Sequence, residues 1–205
     1  MNQPGHVRRE RPQDRALEDA LARAQEGDEA AFATVYRMVH PGVLGYVRGL
    51  VGDDAEDVAA EAWLEITRDL WRFRGDAGGF RGWTATIARH RALDHLRRQR
   101  VRPRSSFLDP AVLELPGGQN TQEQAIESIT TRQALNLIAG LPQDQAEAVL
   151  LRVVVGLTGP AAARVLGKRP GAVRSAAHRG LKRLARQLTG TGVPESGPHT
   201  LGKPI

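Results

Sequence analysis

The chain contains no cysteine among its 205 residues. Disulfide frameworks and thiolate metal sites are therefore excluded, which suits a reducing compartment. Aromatic residues make up only 4% of the sequence, so the core must be assembled from small aliphatic side chains rather than large rings. No apolar run reaches membrane-spanning length, and Met1 to Arg15 is polar and arginine-rich, without the hydrophobic stretch of a secretory signal. These absences predict a cytoplasmic protein with no membrane insertion. One stretch, Arg164 to Arg186, lacks acid entirely while holding eight Lys or Arg.

What is present is charge, unevenly spread. The formal net charge is +6, and a basic balance of this kind points to a polyanionic partner. Val51 to Leu70 carries seven acids and a single Arg, whereas Arg81 to Arg104 carries eight Arg and only Asp94. Ser105 to Glu127 has four acids and no base. The alternation predicts two basic surfaces and one acidic surface, each sign with its own partner.

The apolar spacing is helical from Ala16 onward, and the expected fold is all-α. Residues 1–15 read as a flexible tail, since Pro4, Gly5 and Pro12 interrupt any period. Leu17, Ala20, Leu21 and Ala24 form a first stripe. Gly27 and Asp28 break and cap it before Ala31, Val35 and Val39, and Pro41 is expected to interrupt the next stretch. Asp53, with Glu56 three residues later, suggests a capping box ahead of the stripe Ala55, Val58, Ala59, Ala62, Trp63, Ile66 and Leu70. A glycine-rich loop, Arg74 to Gly79, precedes the next helix, which runs into Arg97, Arg98 and Arg100. Pro103, Pro110, Pro116, Gly117 and Gly118 mark a linker. The expected organisation is a helical unit over 16–104, a flexible linker over 105–130, a second helical unit over 131–189 and a tail over 190–205.

The second unit carries the sharpest motif. Thr158 is placed to cap a short helix, Pro160 is tolerated in its first turn, and Gly167 supplies a turn before Pro170 opens a basic helix. Its expected inward stripe is Val173, Ala177, Leu181, Leu184 and Leu188. Short helix, glycine turn and basic helix form a helix-turn-helix, whose second helix presents its N-terminal residues to the major groove. Arg174 is best placed for a base edge, with Ser175 and His178 next, while the later bases Arg179 and Lys182 suit phosphates; Arg169, Gly171 and Ala172 are further DNA-contact candidates. A solvated helical hairpin would show the same period. It would gain from mixed signs at three and four residues, however, whereas this helix accepts a repulsion that phosphates relieve.

The order of the pieces resembles the extracytoplasmic-function type of bacterial RNA polymerase sigma factor. The resemblance rests on Ala55-Glu56-Asp57-Val58, on Phe80 to Arg89, and on Ala92 to Arg98. It continues through Leu141-Pro142, Gly156-Leu157-Thr158, Ala162-Ala163, Leu166-Gly167, Ala172-Val173 and His178 to Leu184. It implies a sigma domain 2-like bundle, which binds the polymerase clamp and opens the minus-ten element, and a sigma domain 4-like helix-turn-helix, which binds the polymerase flap and the minus-thirty-five element. Ala60, Gly159-Pro160 and Arg169-Pro170-Gly171 depart from the residues usual in that family.

On this basis the polymerase-binding candidates are Glu56, Asp57, Glu61 and Glu65, an acidic helix face facing the beta and beta-prime subunits of core RNA polymerase. A solvated acidic face explains each residue singly as well. The minus-ten candidates are Trp83, Arg89, His90, Arg91, Arg97, Arg98 and Arg100: cations for phosphates and a ring for an unstacked base. Trp83 lies on the apolar stripe and serves equally as a core anchor. Promoter DNA, core polymerase and an anti-sigma factor are the implied partners. No catalytic residue, cofactor or metal is expected, because His90 and His95 do not share a helix face and Gly75 to Gly79 lacks phosphate-loop spacing. The competing reading is a helix-turn-helix regulator that binds duplex DNA without acting as a polymerase subunit.

Overall fold

The computed structural model describes residues 12–101 and 133–190, which form helices joined by short turns. The first unit comprises α1 (Pro12–Gln25), α2 (Glu29–Val51), α3 (Ala55–Asp69) and α4 (Ala77–Val101). The second comprises α5 (133–139), α6 (Gln143–Val149), α7 (Gly159–Leu166) and α8 (Pro170–Gly190). A π turn, Leu150–Val154, extends α6. Helix α2 is central to the first unit, packing on α1, α3 and α4, while α6 and α7 both pack on α8.

The stripe expected on α3 is buried at every position, from Ala55 to Leu70. Tyr46, Phe80, Leu17, Ile66, Val35 and Val43 complete that interior with almost no exposed surface. Burial of each such side chain contributes on the order of 1.5–3 kcal/mol. Three helix starts differ from expectation. Helix α1 begins at Pro12, so residues 12–15 are not tail: proline fits a first helical turn, and Asp14 there meets Arg81 at 2.6 Å. Helix α3 is led by Asp54 rather than Asp53, with no side-chain cap, because the Asp54 carboxylate turns instead to His95 and Gln99. Gly78 and Gly79 belong to the first turn of α4, where Asp76 Oδ1 accepts from the Gly79 amide.

Pro41 does not interrupt: α2 runs through it. A proline removes one backbone bond and crowds the preceding turn. Val35, Val39, Val43 and Val47, all buried on the same helix, supply the packing that holds the turn helical. The α8 stripe also differs. Val173, Ala176, Ala177 and Gly180 face inward, Leu184 is half-buried, and Leu181 and Leu188 are 47% and 62% exposed. The small Gly180 lets α8 approach Val149 and Leu141, and this close line of contact turns Leu181 outward.

The two units touch. Helix α4 lies against α7, α2 lies against α6 and the π turn, and one apolar cluster runs through both units. The expected tail residues 1–11, the expected linker 105–130 and residues 191–205 lie outside the described residues.

Candidate nucleic-acid and polymerase interfaces

The helix-turn-helix is built from local chemistry. Thr158 Oγ1 accepts from the Ala161 amide at 3.3 Å, capping α7 where the backbone leaves donors without partners. Gly167 ends the helix in the left-handed conformation, φ 63°, which a side chain would strain. Lys168 then donates to the Ala163 carbonyl, and α8 starts two residues later. With Val173, Ala176 and Ala177 turned inward, Arg169, Gly171, Ala172, Arg174, Ser175, His178, Arg179 and Lys182 all stand exposed. Arg179 is engaged with Asp144 at 3.6 Å. The others form a cationic, sterically open face at the helix start.

In the first unit the expected separation of signs does not hold. Glu65 and Glu61 of α3 lie beside α4, where Arg91 bonds Glu65 and Arg98 reaches Glu61 at 3.3 Å. Glu56 pairs with Arg48 of α2 at 2.6 Å, and Asp57 is exposed. The acidic and basic stretches neutralise each other in part because adjacent antiparallel helices bring them together. Their far sides remain open to solvent. Leu64 is 75% exposed between Glu61 and Glu65, and Trp71 is exposed with the Arg72 guanidinium 4.7 Å over its ring. Leu64 falls off the α3 stripe, so its exposure carried a sequence signal.

Along α4 the minus-ten candidates separate into distinct environments. Trp83 is half-buried, its ring 5.4 Å from Phe73 and 5.6 Å from Phe80, and one edge lines a crevice with Thr86, Ala161 and Arg164. Arg89 Nε donates to Glu147 of α6 at 2.7 Å. Burial disfavours the Arg89 charge, but bonding to Glu147 and the carboxylate's field outweigh this and hold the guanidinium more firmly protonated than usual. Arg91 is likewise held charged by its bond to Glu65. His90, Arg97, Arg98 and Arg100 are exposed, Arg97 with Asp94 at 2.7 Å one turn away. Glu147 and its neighbour Tyr46, whose buried hydroxyl borders the pair, had no sequence signal, since their role depends on contact between the units.

Among the described residues no cluster of three His, Asp or Glu could hold a metal ion, and no helix is long and apolar enough to cross a membrane.

Comparisons with known proteins agree with this layout. Residues 35–102 match the model of Sigma-70 region 2, and residues 131–184 match that of Sigma-70, region 4. The chain is 37% identical over 172 residues to the ECF RNA polymerase sigma factor ShbA of Streptomyces griseus, covering 79% of this chain and 90% of that protein. It is 33% identical to the ECF RNA polymerase sigma factor SigD of Mycobacterium tuberculosis, covering 88% and 87% of the two. It is 31% identical to BldN of Streptomyces coelicolor, covering 83% of this chain but 65% of the longer BldN. Two solved structures share the fold at 20% identity. CnrH in complex with the cytosolic domain of CnrY has a TM-score of 0.59, covering 86% of this chain and 99% of that one. RpoE from Bartonella quintana, in complex with the anti-sigma factor NepR, has a TM-score of 0.57, covering 79% and 98%. The helical units, their order and these matches lead to one conclusion: the chain belongs to the extracytoplasmic-function RNA polymerase sigma factors of the sigma-70 family.

Proposed function

We propose how this chain carries out the sigma-factor role, which is to bind core RNA polymerase and direct promoter-specific transcription initiation. Helix α8 reads the minus-thirty-five element, with Arg174 at a base edge, Ser175 and His178 beside it, and Arg169, Arg179 and Lys182 on phosphates. Gly171 and Ala172 let the backbone approach. The exposed arginines of α4, Arg97, Arg98 and Arg100, neutralise phosphates at the minus-ten element, and His90, Arg91, Arg89 and Trp83 lie nearer the strand-opening step. Glu56, Asp57, Glu61 and Glu65 on α3, with the exposed Leu64 among them, dock on the polymerase.

The observation that carries this reading is the acid-free face of α8, open from Arg169 to Lys182. With Asp144 set against Arg179 and the rest of the face uncompensated from its own helix, this concentration of cations costs free energy unless an anion relieves it. The protein acts as a non-catalytic, cytoplasmic subunit, and an anti-sigma protein is a further proposed partner, by analogy with the relatives solved in such complexes.

Reconstitution with bacterial core polymerase tests the assignment. The expected result is a holoenzyme that initiates from a specific promoter. Specific duplex binding by the free chain without holoenzyme formation would instead identify a polymerase-independent regulator.

A further inference from the structure

A crevice lined by both units runs between α4 and α7, and its two ends differ in chemistry. The polar end has a volume of about 560 Å³ and is walled by Asp14, Asp76, Arg81, Arg152 and Arg164 among others. The other end, about 220 Å³, is bounded by Trp83 and Thr86 of α4 and by Val165 of α7. Gly78, Gly79, Ala161 and Arg164 line both ends, which therefore form one continuous space. Together they fall in the range of small-molecule sites, roughly 300–1,000 Å³.

The charged groups at the polar end do not all satisfy one another. Arg81 is engaged with Asp14 at 2.6 Å, the two side chains 20% and 17% exposed. Arg152 donates from Nη1 to the Leu157 carbonyl, which leaves further donors on its guanidinium. The exposed Arg164 guanidinium has no hydrogen bond or ion pair among the described residues. Asp76 Oδ1 accepts from the Gly79 amide at 2.6 Å, while Oδ2 has no partner among the described residues. Three arginines against two aspartates leave the polar end net positive. Arginine forks are suited to phosphate oxygens, and an unused carboxylate oxygen accepts from a hydroxyl.

The aromatic end presents a ring with open space beside it. Trp83 is held by Phe73 and Phe80 on one side, which fixes it as a platform on which a base can stack. Gly82, next to it in α4, also lines the crevice, and a Cβ added there would meet no atom within 4 Å. Glycine inside a helix costs roughly 0.5–1 kcal/mol relative to alanine, and no packing contact in the fold requires it at this position. Its missing side chain leaves room beside the ring.

The geometry points to a ribonucleotide site: the crevice takes a free ribonucleoside diphosphate, its base against Trp83 over Gly82, its ribose hydroxyls on Asp76 and its phosphates on Arg164 and Arg152. A nucleic-acid strand carries the same groups, but the carboxylates of Asp14 and Asp76 repel a continuing phosphate backbone. The site goes beyond the promoter assignments and depends on none of them. Neither unit carries it alone, because Trp83 and Asp76 come from the first and both phosphate-binding arginines from the second.

Calorimetric titration of the full chain with ADP and with GDP tests the proposal, with dADP, pyrophosphate and a short single-stranded DNA as comparison probes. The expected result is one site per chain for ADP or GDP, with weaker binding of dADP, which lacks a ribose hydroxyl, and of pyrophosphate, which lacks a base. Arg164→Gln should weaken ADP binding about tenfold or more, the loss of one charged hydrogen bond. Gly82→Leu favours helix and fills the open space, so it should abolish binding without lowering the melting temperature. In isotope-labelled protein, one of the 3 indole N–H signals, the one missing from Trp83→Phe, should shift when ADP is added.

No binding of ADP or GDP at millimolar concentration by either method, or binding unchanged in both Arg164→Gln and Gly82→Leu, would overturn the site. If dADP or pyrophosphate bound as tightly as ADP, the crevice would be a plain anion site. If the single-stranded DNA did so, it would be a nucleic-acid surface. Either result would overturn the ribonucleotide assignment.

Discussion

Arg91 and Glu65 are bound to each other across the α3–α4 seam, the guanidinium Nε and Nη2 both donating to Glu65 Oε2 at 2.8 and 2.5 Å. One of these residues is assigned to DNA and the other to polymerase, yet each occupies its partner's charge. The Arg91 and Glu65 side chains are 37% and 26% exposed, so the pair itself contributes less than about 1 kcal/mol to stability. Its consequence is for binding. Glu65→Gln should leave the melting temperature nearly unchanged, free Arg91 for phosphate, and steepen the salt dependence of promoter binding while weakening polymerase association. Titrations of holoenzyme assembly and of DNA affinity at several salt concentrations measure the two effects separately. A variant that lost neither polymerase affinity nor its wild-type salt slope would remove Glu65 from the docking face.

The division between reading bases and holding phosphates makes a second prediction. Arg174 is exposed in the second turn of α8, free to enter a groove, whereas Arg98 is exposed at the basic end of α4, 3.3 Å from Glu61. Arg174→Ala should change which upstream sequences are preferred, with a discrimination loss of about 1–3 kcal/mol at one base pair. Arg98→Ala should weaken binding evenly across sequences and lower the salt slope by about one. Selectivity profiles from a randomised promoter library distinguish these outcomes; identical profiles for the two variants would abolish the distinction.

The joint of the helix-turn-helix supplies a third. Thr158→Ala removes the cap of α7 and should cost roughly 0.5–2 kcal/mol in the unfolding of the second unit, while Thr158→Ser should recover most of it. Gly167→Ala forces a side chain into φ 63° and should destabilise by about 1 kcal/mol. Because the cap and turn aim α8, both variants should also weaken minus-thirty-five binding. Urea unfolding followed by circular dichroism, paired with duplex affinity, tests whether stability and binding fall together.

How much of this was legible in the sequence depends on the range of the interaction. The α3 stripe, the Asp28 and Thr158 caps and the Gly167 turn are set by residues three or four apart, and they appear as the spacing predicts. Features that depend on a second element were hidden. Asp54 leads α3 without capping it, because His95, 41 positions later, occupies its carboxylate. Leu181 was expected inside by period alone, but Gly180 sets the line of closest approach to α6. The charge blocks were visible, yet their mutual pairing required knowing that α3 and α4 are neighbours. The exposed candidates on α8 needed no such knowledge, since an acid-free basic helix has few ways to be buried.

His40 provides a prediction in pH. Its ring stacks on Tyr36 at 4.5 Å and lies 6.2 Å from Trp63, and its Nδ1 is buried without a partner. Burial disfavours the charged imidazolium and holds the His40 pKa below 6.5, against a smaller opposing pull from Glu56; Arg48 lowers it further. The unfolded chain therefore binds a proton that the folded chain resists. His40's contribution is fully present above pH 6.5 and is lost progressively as pH falls below that value through the folded pKa. Chemical denaturation at pH 7.5 and at pH 5.5 should accordingly show lower stability at the acidic value. His40→Phe keeps a flat ring against Tyr36 but cannot titrate, so the difference between the two pH values should shrink in that variant. Asp28, held low by the Ala31 amide and then by Arg23, contributes only at more acidic pH, outside this window. An undiminished pH difference in His40→Phe would show that another group governs the acid limb.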